Sequence, residues 1–218
     1  MNVRPLVIVS LLFAAAMVVF AFVTEARLPA GAELPIHWNA VGEPDDWAEA
    51  LFALLIAPGV LIALTALFAI IPSIEPLQDR LEGSAPVLRA SWIGIIFLLV
   101  VMQLVMAMPA WGVELPVNAI VLATGLLFVI LGNALPKSRP GFFVGIRTPW
   151  AITDTDNWIA THRLGGKLLM AAGAAMMLAA ALPIAPETLS GIVIGAVLVA
   201  VIVPVFYSWW HWHSRRRA

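Results

Sequence analysis

The chain has 218 residues, of which 62% are hydrophobic and 11% are charged, and its formal net charge is −1 at pH 7. Soluble domains average about 25% charged residues, so this composition excludes an ordinary soluble protein and indicates one membrane domain over residues 1–218. Cysteine is absent, which excludes a disulfide framework, a thiol nucleophile and a cysteine-based metal site.

Hydrophobic segments long enough to cross a hydrocarbon core of about 30 Å as helices follow one another along the whole chain. The predicted spans are residues 5–23, 51–71, 91–108, 117–135, 164–184 and 189–210. The first span is too long for the apolar part of a secretory signal and is therefore expected to be retained. The predicted fold is all-α, a polytopic integral membrane protein with six transmembrane helices.

Basic residues divide unequally between the two sides of these spans. Eleven of the twelve Lys and Arg residues fall on the side of the N-terminus, and only Arg27 falls on the other. Because basic residues are kept on the cytoplasmic side during insertion, both termini are predicted to be cytoplasmic. With five acidic residues inside and eight outside, the net charge is +6 on the inner side and −7 on the outer side. The basic inner side suits contact with anionic membrane lipids.

The connection over residues 24–50 is predicted to be a folded cap on the outer face. Asn39 and the residues up to Gly42 supply turn chemistry. Pro44 suits the first position of a following helix, whose first turn would hold Asp45. The side chains of His37, Asn39 and Asp45 are expected to hydrogen-bond within the cap. His37 with the neighbouring acids is a weak ligand set, so no metal site is predicted.

The connection over residues 136–163 is predicted to be a folded loop on the cytoplasmic side. Thr153 and Asp156 resemble a capping box, which predicts a short interfacial helix over about residues 154–163. Trp158, Thr161 and His162 would share one face of that helix.

Two features, one in the inner connection and one in the last span, leave alternatives open. Arg147 and Arg163 have the chemistry to hold a phosphate or carboxylate together, or to lie among lipid phosphates. Gly191 and Gly195 in the last span indicate close helix packing, which we expect within the bundle rather than in a dimer. The Ala- and Gly-rich stretch 171–175 predicts a close approach between neighbouring helices as well.

Both connections also carry sequence motifs that resemble those of SdpI-type membrane proteins. Residues 34–47 (LPIHWNAVGEPDDW) are similar to the small domain of unknown function at the start of such proteins. The second signature comprises Gly132-Asn133 with Leu135-Pro136-Lys137, then residues 145–150 (GIRTPW) and 158–163 (WIATHR). The motifs occur in the family's order over most of the chain. Gly141 is a departure, because a polar residue such as Asn is common there in the family.

The resemblance implies a non-catalytic immunity and signalling protein of the bacterial plasma membrane. Such a protein gives resistance to a secreted membrane-active toxin peptide and recruits a cytoplasmic repressor, without a cofactor or direct contact with nucleic acid. The toxin would meet the cap at His37, Trp38, Asn39, Gly42, Pro44, Asp45 and Trp47. The repressor would bind the inner loop at Asn133, Pro136, Lys137, Gly145, Arg147, Thr148, Pro149, Trp150, Trp158, Thr161, His162 and Arg163.

Two other classes of function remain open. The chain could be a carrier or flippase for a peptide or lipid, because each half has a Leu-Pro pair followed by a loop with Gly and Trp, as in a 3+3 inverted repeat. The lack of charged residues at mid-membrane counts against that reading. An interfacial enzyme would use His162 as a base oriented by Asp156, but it lacks a nucleophile or metal.

Overall fold

The computed structural model describes residues 2–76, 81–113 and 115–215. Within these ranges the long helices are α1 (Arg4–Glu25), α2 (Ala50–Ile74), α3 (Leu81–Ala107), α4 (Asn118–Ala134), α6 (Thr155–Ala181) and α7 (Pro186–Arg215). Two strands, β1 (Glu33–Trp38) and β2 (Pro44–Glu49), and the short helix α5 (Pro149–Thr153) lie in the connections. Single 3-10 turns extend α3 over Met108–Trp111 and α4 over Leu135–Lys137.

Six of the described helices are long and apolar enough to cross a membrane, so the chain is a multi-pass membrane protein, as its composition predicts. With the predicted orientation, the strands lie at the outer end of the bundle and α5 at the inner end. The basic residues Arg80, Arg216 and Arg217, which contribute to the predicted inner charge, lie outside the described residues.

The start of α6 corrects one sequence prediction. Residues 154–163 do not form a separate interfacial helix but are the first turns of α6, which continues to Ala181. Its N-cap is Asp154, whose Oδ1 accepts the N–H groups of Asp156 (2.9 Å) and Asn157 (3.2 Å), so the expected capping box from Thr153 to Asp156 is wrong. Thr153 instead donates its hydroxyl to the carbonyl of Pro149 in α5 (2.9 Å).

The helices form two groups of three that meet where α3 packs on α4. In the first group, α1, α2 and α3 are joined by polar side chains within the apolar core. Nε2 of the buried Gln103 donates to the carbonyls of Met17 (2.9 Å) and Leu54 (3.2 Å), and Nε1 of Trp92 donates to Oγ of Ser10 (2.7 Å). These bonds satisfy groups that lipid cannot satisfy, and they fix the register of the three helices.

The second group consists of α4, α6 and α7, and within it the backbones of α4 and α6 are in contact. A Cβ built on Gly132 would lie 2.6 Å from the carbonyl oxygen of Gly166, and one on Gly173 would lie 2.3 Å from that of Gly125. No side chain larger than a hydrogen fits at either crossing. Gly173 belongs to the small-residue stretch 171–175, so the predicted close approach in this span is confirmed.

The prediction for the other glycine pair is wrong. Gly191 and Gly195 lie on an exposed face of α7, and a Cβ added at either position meets nothing within 4 Å. They therefore do not pack within the bundle. Glycines four residues apart also occur in helix-packing motifs, so the spacing alone does not show whether the pair faces another helix. The rotation of α7 about its axis decides this, and here it turns both glycines away from the bundle.

A matched pair of glycine substitutions tests this packing. Gly173→Ala is expected to lower the free energy of unfolding by about 1–3 kcal/mol, because the added methyl must displace a backbone carbonyl. Gly195→Ala is expected to be neutral or stabilising by up to about 1 kcal/mol, since alanine is the better helix former. Denaturation of the purified protein in detergent, followed by tryptophan fluorescence, measures both. Equal effects of the two substitutions would contradict the packing.

Candidate functional site

A β-hairpin forms the outer connection, where the sequence predicts a helix from Pro44. The strands pair antiparallel, with Glu33 opposite Glu49 and Leu34 opposite Ala48, and the helix begins only at Ala50. The expected helix start is wrong because the backbone pairing of a hairpin competes with it. The turn returns the chain so that Pro44 lies opposite Trp38, and β1 supplies the hydrogen bonds that a helix would otherwise provide.

The side chain of Asn39 fixes the hairpin turn. Its Oδ1 accepts the N–H groups of Val41 and Glu43, both at 3.0 Å, and Gly42 has a φ of +78° that favours glycine. On the strands, Nδ1 of His37 and Oδ1 of Asp45 are hydrogen-bonded at 2.6 Å. The expectation that His37, Asn39 and Asp45 bond within the cap is therefore confirmed.

The other cap residues divide between solvent and the bundle. Pro44, Asp45 and Trp47 are exposed, and 51% of Trp47 is accessible. Trp38 is half-buried and borders a cavity of about 440 Å³, which we call the outer cleft. The hairpin tip (residues 38–42), the start of α4 and the start of α7 line this cleft. The hydroxyl of Ser190 in α7 donates to the carbonyl of Ala40 and ties the tip to the second helix group.

At the inner end, His162 holds the loop between α4 and α5 against α6. Its Nε2 accepts the N–H of Ile146 (2.9 Å), so the ring is neutral and Nδ1 donates to the carbonyl of Trp158 (2.8 Å). The indole of Trp158 stacks on the ring, and its Nε1 donates to Oγ of Ser138 (3.1 Å). Gly145 has a φ of +117°, and a Cβ there would lie 2.5 Å from Nε2 of His162. Glycine is thus required at this turn.

A second buried network joins α5, α6 and α7. Asn157 donates through Nδ2 to the carbonyl of Ser208 (2.8 Å) and accepts at Oδ1 from the hydroxyls of Ser208 (2.8 Å) and Thr161 (3.0 Å). Because the Ser208 proton is used there, the Thr148 hydroxyl donates to Oγ of Ser208 (2.6 Å) while accepting the N–H of Ala151 (3.1 Å). Sequence reasoning missed Asn157 and Ser208. For Ser208 the available signal is a polar residue within an apolar span, whereas Asn157 follows other polar residues and carries no such signal.

Glu75 is a further residue that sequence reasoning did not single out. It follows α2, is only 4% exposed, and its carboxylate accepts the N–H groups of Phe142 (3.0 Å) and Phe143 (3.2 Å). The hydroxyl of Ser84 in α3 donates to the carbonyl of Arg139 (3.0 Å) beside it. The first helix group therefore also holds the inner loop, through partners more than fifty residues away in sequence.

The residues predicted to meet a cytoplasmic partner separate into three sets by exposure. Thr148, Trp158, Thr161 and His162 are buried, so their side chains support the loop rather than face a partner. Gly145 and Trp150 are partly buried. The exposed set, which we call the inner face, comprises Asn133, Pro136, Lys137, Arg147, Pro149 and Arg163.

Charged contacts distinguish the basic residues at this end. Arg147 is tied to the loop, because its guanidinium donates to the carbonyl of Phe142 (2.9 Å). Arg215 at the end of α7 pairs with Asp156 (3.0 Å). Asp156 thus faces Arg215, while both nitrogens of His162 bond to backbone groups, so the His162–Asp156 dyad of an interfacial enzyme is not formed.

Comparisons with known proteins find a match for each of the two segments. The model of the SdpI/YfhL protein family matches residues 137–208, and that of a domain of unknown function, DUF1648, matches residues 12–62. The chain is an SdpI-type membrane protein. It is 23% identical to the "Immunity protein SdpI" of Bacillus subtilis (strain 168) over 215 residues, which cover 98% of this chain and 96% of the relative. No solved structure matches the chain.

The family matches fall on the two structured connections. The DUF1648 match covers most of α1, the hairpin and the start of α2, and the SdpI/YfhL match covers the inner loop, α6 and most of α7. The hairpin and the inner loop of this SdpI-type chain are therefore its candidate functional surfaces.

Two asparagines provide a test of the inner network. Asn157→Leu is expected to lower the free energy of unfolding by about 1–3 kcal/mol, because it leaves buried groups of Ser208 and Thr161 without a partner. Asn133→Leu, at an exposed position, is expected to stay within about 0.5 kcal/mol of wild type. Detergent unfolding curves give both values, and a neutral Asn157→Leu variant would contradict the network.

Proposed function

We propose that this SdpI-type chain is a non-catalytic immunity and signalling protein of the bacterial plasma membrane. It gives resistance to a secreted membrane-active toxin peptide at its outer face and recruits a cytoplasmic repressor at its inner face. The observation that carries the proposal is the similarity to an immunity protein over nearly the full length of both chains.

The outer hairpin supports the first half of the proposal. It is a fixed turn presented above the bundle, with His37, Asp45 and Trp47 exposed on its strands. An exposed Trp beside polar side chains suits a ligand that approaches at the level of the lipid headgroups, because an indole is both apolar and a hydrogen-bond donor. A membrane-active peptide would arrive there.

The inner loop supports the second half. Its buried side chains fix the backbone, so the exposed residues of the inner face have defined positions before a partner binds. Pre-organisation of this kind lowers the entropic cost of association. Lys137 and Arg163 give the surface a basic character that suits an acidic protein surface. His162 has both nitrogens engaged by backbone, which supports a structural rather than a catalytic role.

Arg163 provides the test that separates signalling from transport. It is exposed on α6, and within the described residues its side chain forms no hydrogen bond or ion pair with the inner loop, so Arg163→Ala removes a surface charge and leaves the loop supported. In the native host, this variant is expected to lose most induction of the operon reporter while retaining survival under the toxin.

Lys167→Ala is the matched control, because Lys167 is exposed one helical turn further along α6 and is suited to anchoring in lipid headgroups. It is expected to retain both induction and survival at equal protein level. Parallel loss of survival and induction in Arg163→Ala, with the control intact, would contradict a docking surface. A carrier would show that pattern, because its inner gate acts in every transport cycle.

A further inference from the structure

We propose that the outer cleft binds an apolar segment of a cationic amphipathic peptide, with the acidic side chains around the hairpin tip selecting for positive charge. The inference rests on the proposed function and states which class of peptide an immunity protein of this shape would recognise.

The size and lining of the outer cleft fit an apolar ligand. Its volume of about 440 Å³ lies within the range of about 300–1,000 Å³ that is usual for binding pockets. Val41 from the hairpin, Val121 from α4, and Leu189 and Val193 from α7 contribute apolar walls. The cleft thus offers an apolar chamber made by three separate elements, rather than a groove along one helix.

Trp38 is shared between this cleft and a second cavity. The second cavity has a volume of about 180 Å³ and lies between the two helix groups, where Ile36, Val60, Met102 and Ile120 border it. Trp38 therefore lies between the two cavities, and it also packs against the apolar cluster at the outer end of the first helix group. An apolar ligand in the outer cleft would contact a residue that the bundle already supports.

Charge around the cleft favours a cationic ligand. Glu43 is exposed next to the cleft-lining Gly42, and Glu187 is exposed next to the cleft-lining Pro186. Arg27, the single basic residue predicted for this side, lies 3.7 Å over the ring of Trp111. An anionic lipid headgroup would be repelled by this rim, whereas a cationic peptide would be attracted. The charges therefore favour a peptide over a phospholipid as the occupant.

The absence of cysteine from the sequence allows a direct measurement of occupancy. Val41→Cys places one thiol in the wall of the cleft, and Ala30→Cys places one on the exposed turn before β1 as a matched control. Each variant is reconstituted in nanodiscs of neutral lipid and labelled with a maleimide dye. The probes are an amphipathic helical peptide of Leu and Lys and its counterpart of Leu and Glu.

The Leu/Lys peptide is expected to slow labelling at Val41→Cys several-fold and to leave Ala30→Cys unchanged, while the Leu/Glu peptide changes neither. Equal slowing at both positions, or slowing by both peptides, would show general adsorption and overturn the inference. The absence of any slowing at Val41→Cys would overturn it as well. If anionic lipid in the disc protects Val41→Cys as strongly as the Leu/Lys peptide does, the cleft is a lipid site and the inference is wrong.

A second variant distinguishes this inference from the proposed function. Val121→Trp places an indole in the wall of the cleft and is expected to fill part of it, and Leu198→Trp places an indole at an exposed position of α7. Each substitution is combined with Val41→Cys. Val121→Trp is expected to abolish the protection of that thiol from maleimide by the Leu/Lys peptide, and Leu198→Trp is expected to retain it. Protection in nanodiscs without any gain of toxin survival in cells would refute immunity and leave the cleft as a peptide site. Toxin survival that persists in Val121→Trp would refute the cleft and leave immunity standing.

Discussion

The backbone contact between α4 and α6 is the constraint on which the inner half of the molecule depends. Glycines at the crossings let the start of α6 lie directly under the loop that follows α4, since a Cβ on Gly166 would lie 2.6 Å from the Gly132 carbonyl and 2.9 Å from Pro136. The loop then folds over the polar first turns of α6. Gly145 extends the same principle, because it lets the loop backbone approach His162. Close approach here creates the surface that the proposed partner meets.

Both connections are folded by side chains that accept backbone N–H groups. Asn39 does this in the outer turn, while Glu75, Thr148 and His162 do it at the inner end. A loop next to lipid cannot leave buried backbone groups unpaired, since each would cost several kcal/mol in hydrocarbon. In the inner loop these side chains take the place of regular secondary structure, and in the outer hairpin Asn39 completes the turn between the paired strands.

The sequence predicts the number and order of the spans because hydropathy is a local property that the membrane enforces directly. It also predicts the bonded turn at Asn39, whose partners are a few residues away. It misses the strand at Pro44, because Pro and acidic residues also suit the first turn of a helix and the pairing with Trp38 decides between the two. It misses the loop contact of Glu75, because the partner Phe142 is distant in sequence. The rotation of α7, which exposes Gly191, likewise depends on packing that composition does not encode.

In the proposed orientation the hairpin lies outside, where a toxin would meet it, and the inner face lies in the cytoplasm. The most direct test uses the cysteine-free sequence, with Asp46→Cys in the hairpin and Lys137→Cys at the inner face, both at exposed positions. Intact spheroplasts are treated with a membrane-impermeant maleimide, before and after permeabilisation. The proposed orientation predicts labelling of Asp46→Cys in intact spheroplasts and of Lys137→Cys only after permeabilisation. The reverse pattern would contradict the orientation and, with it, the proposed roles of both surfaces.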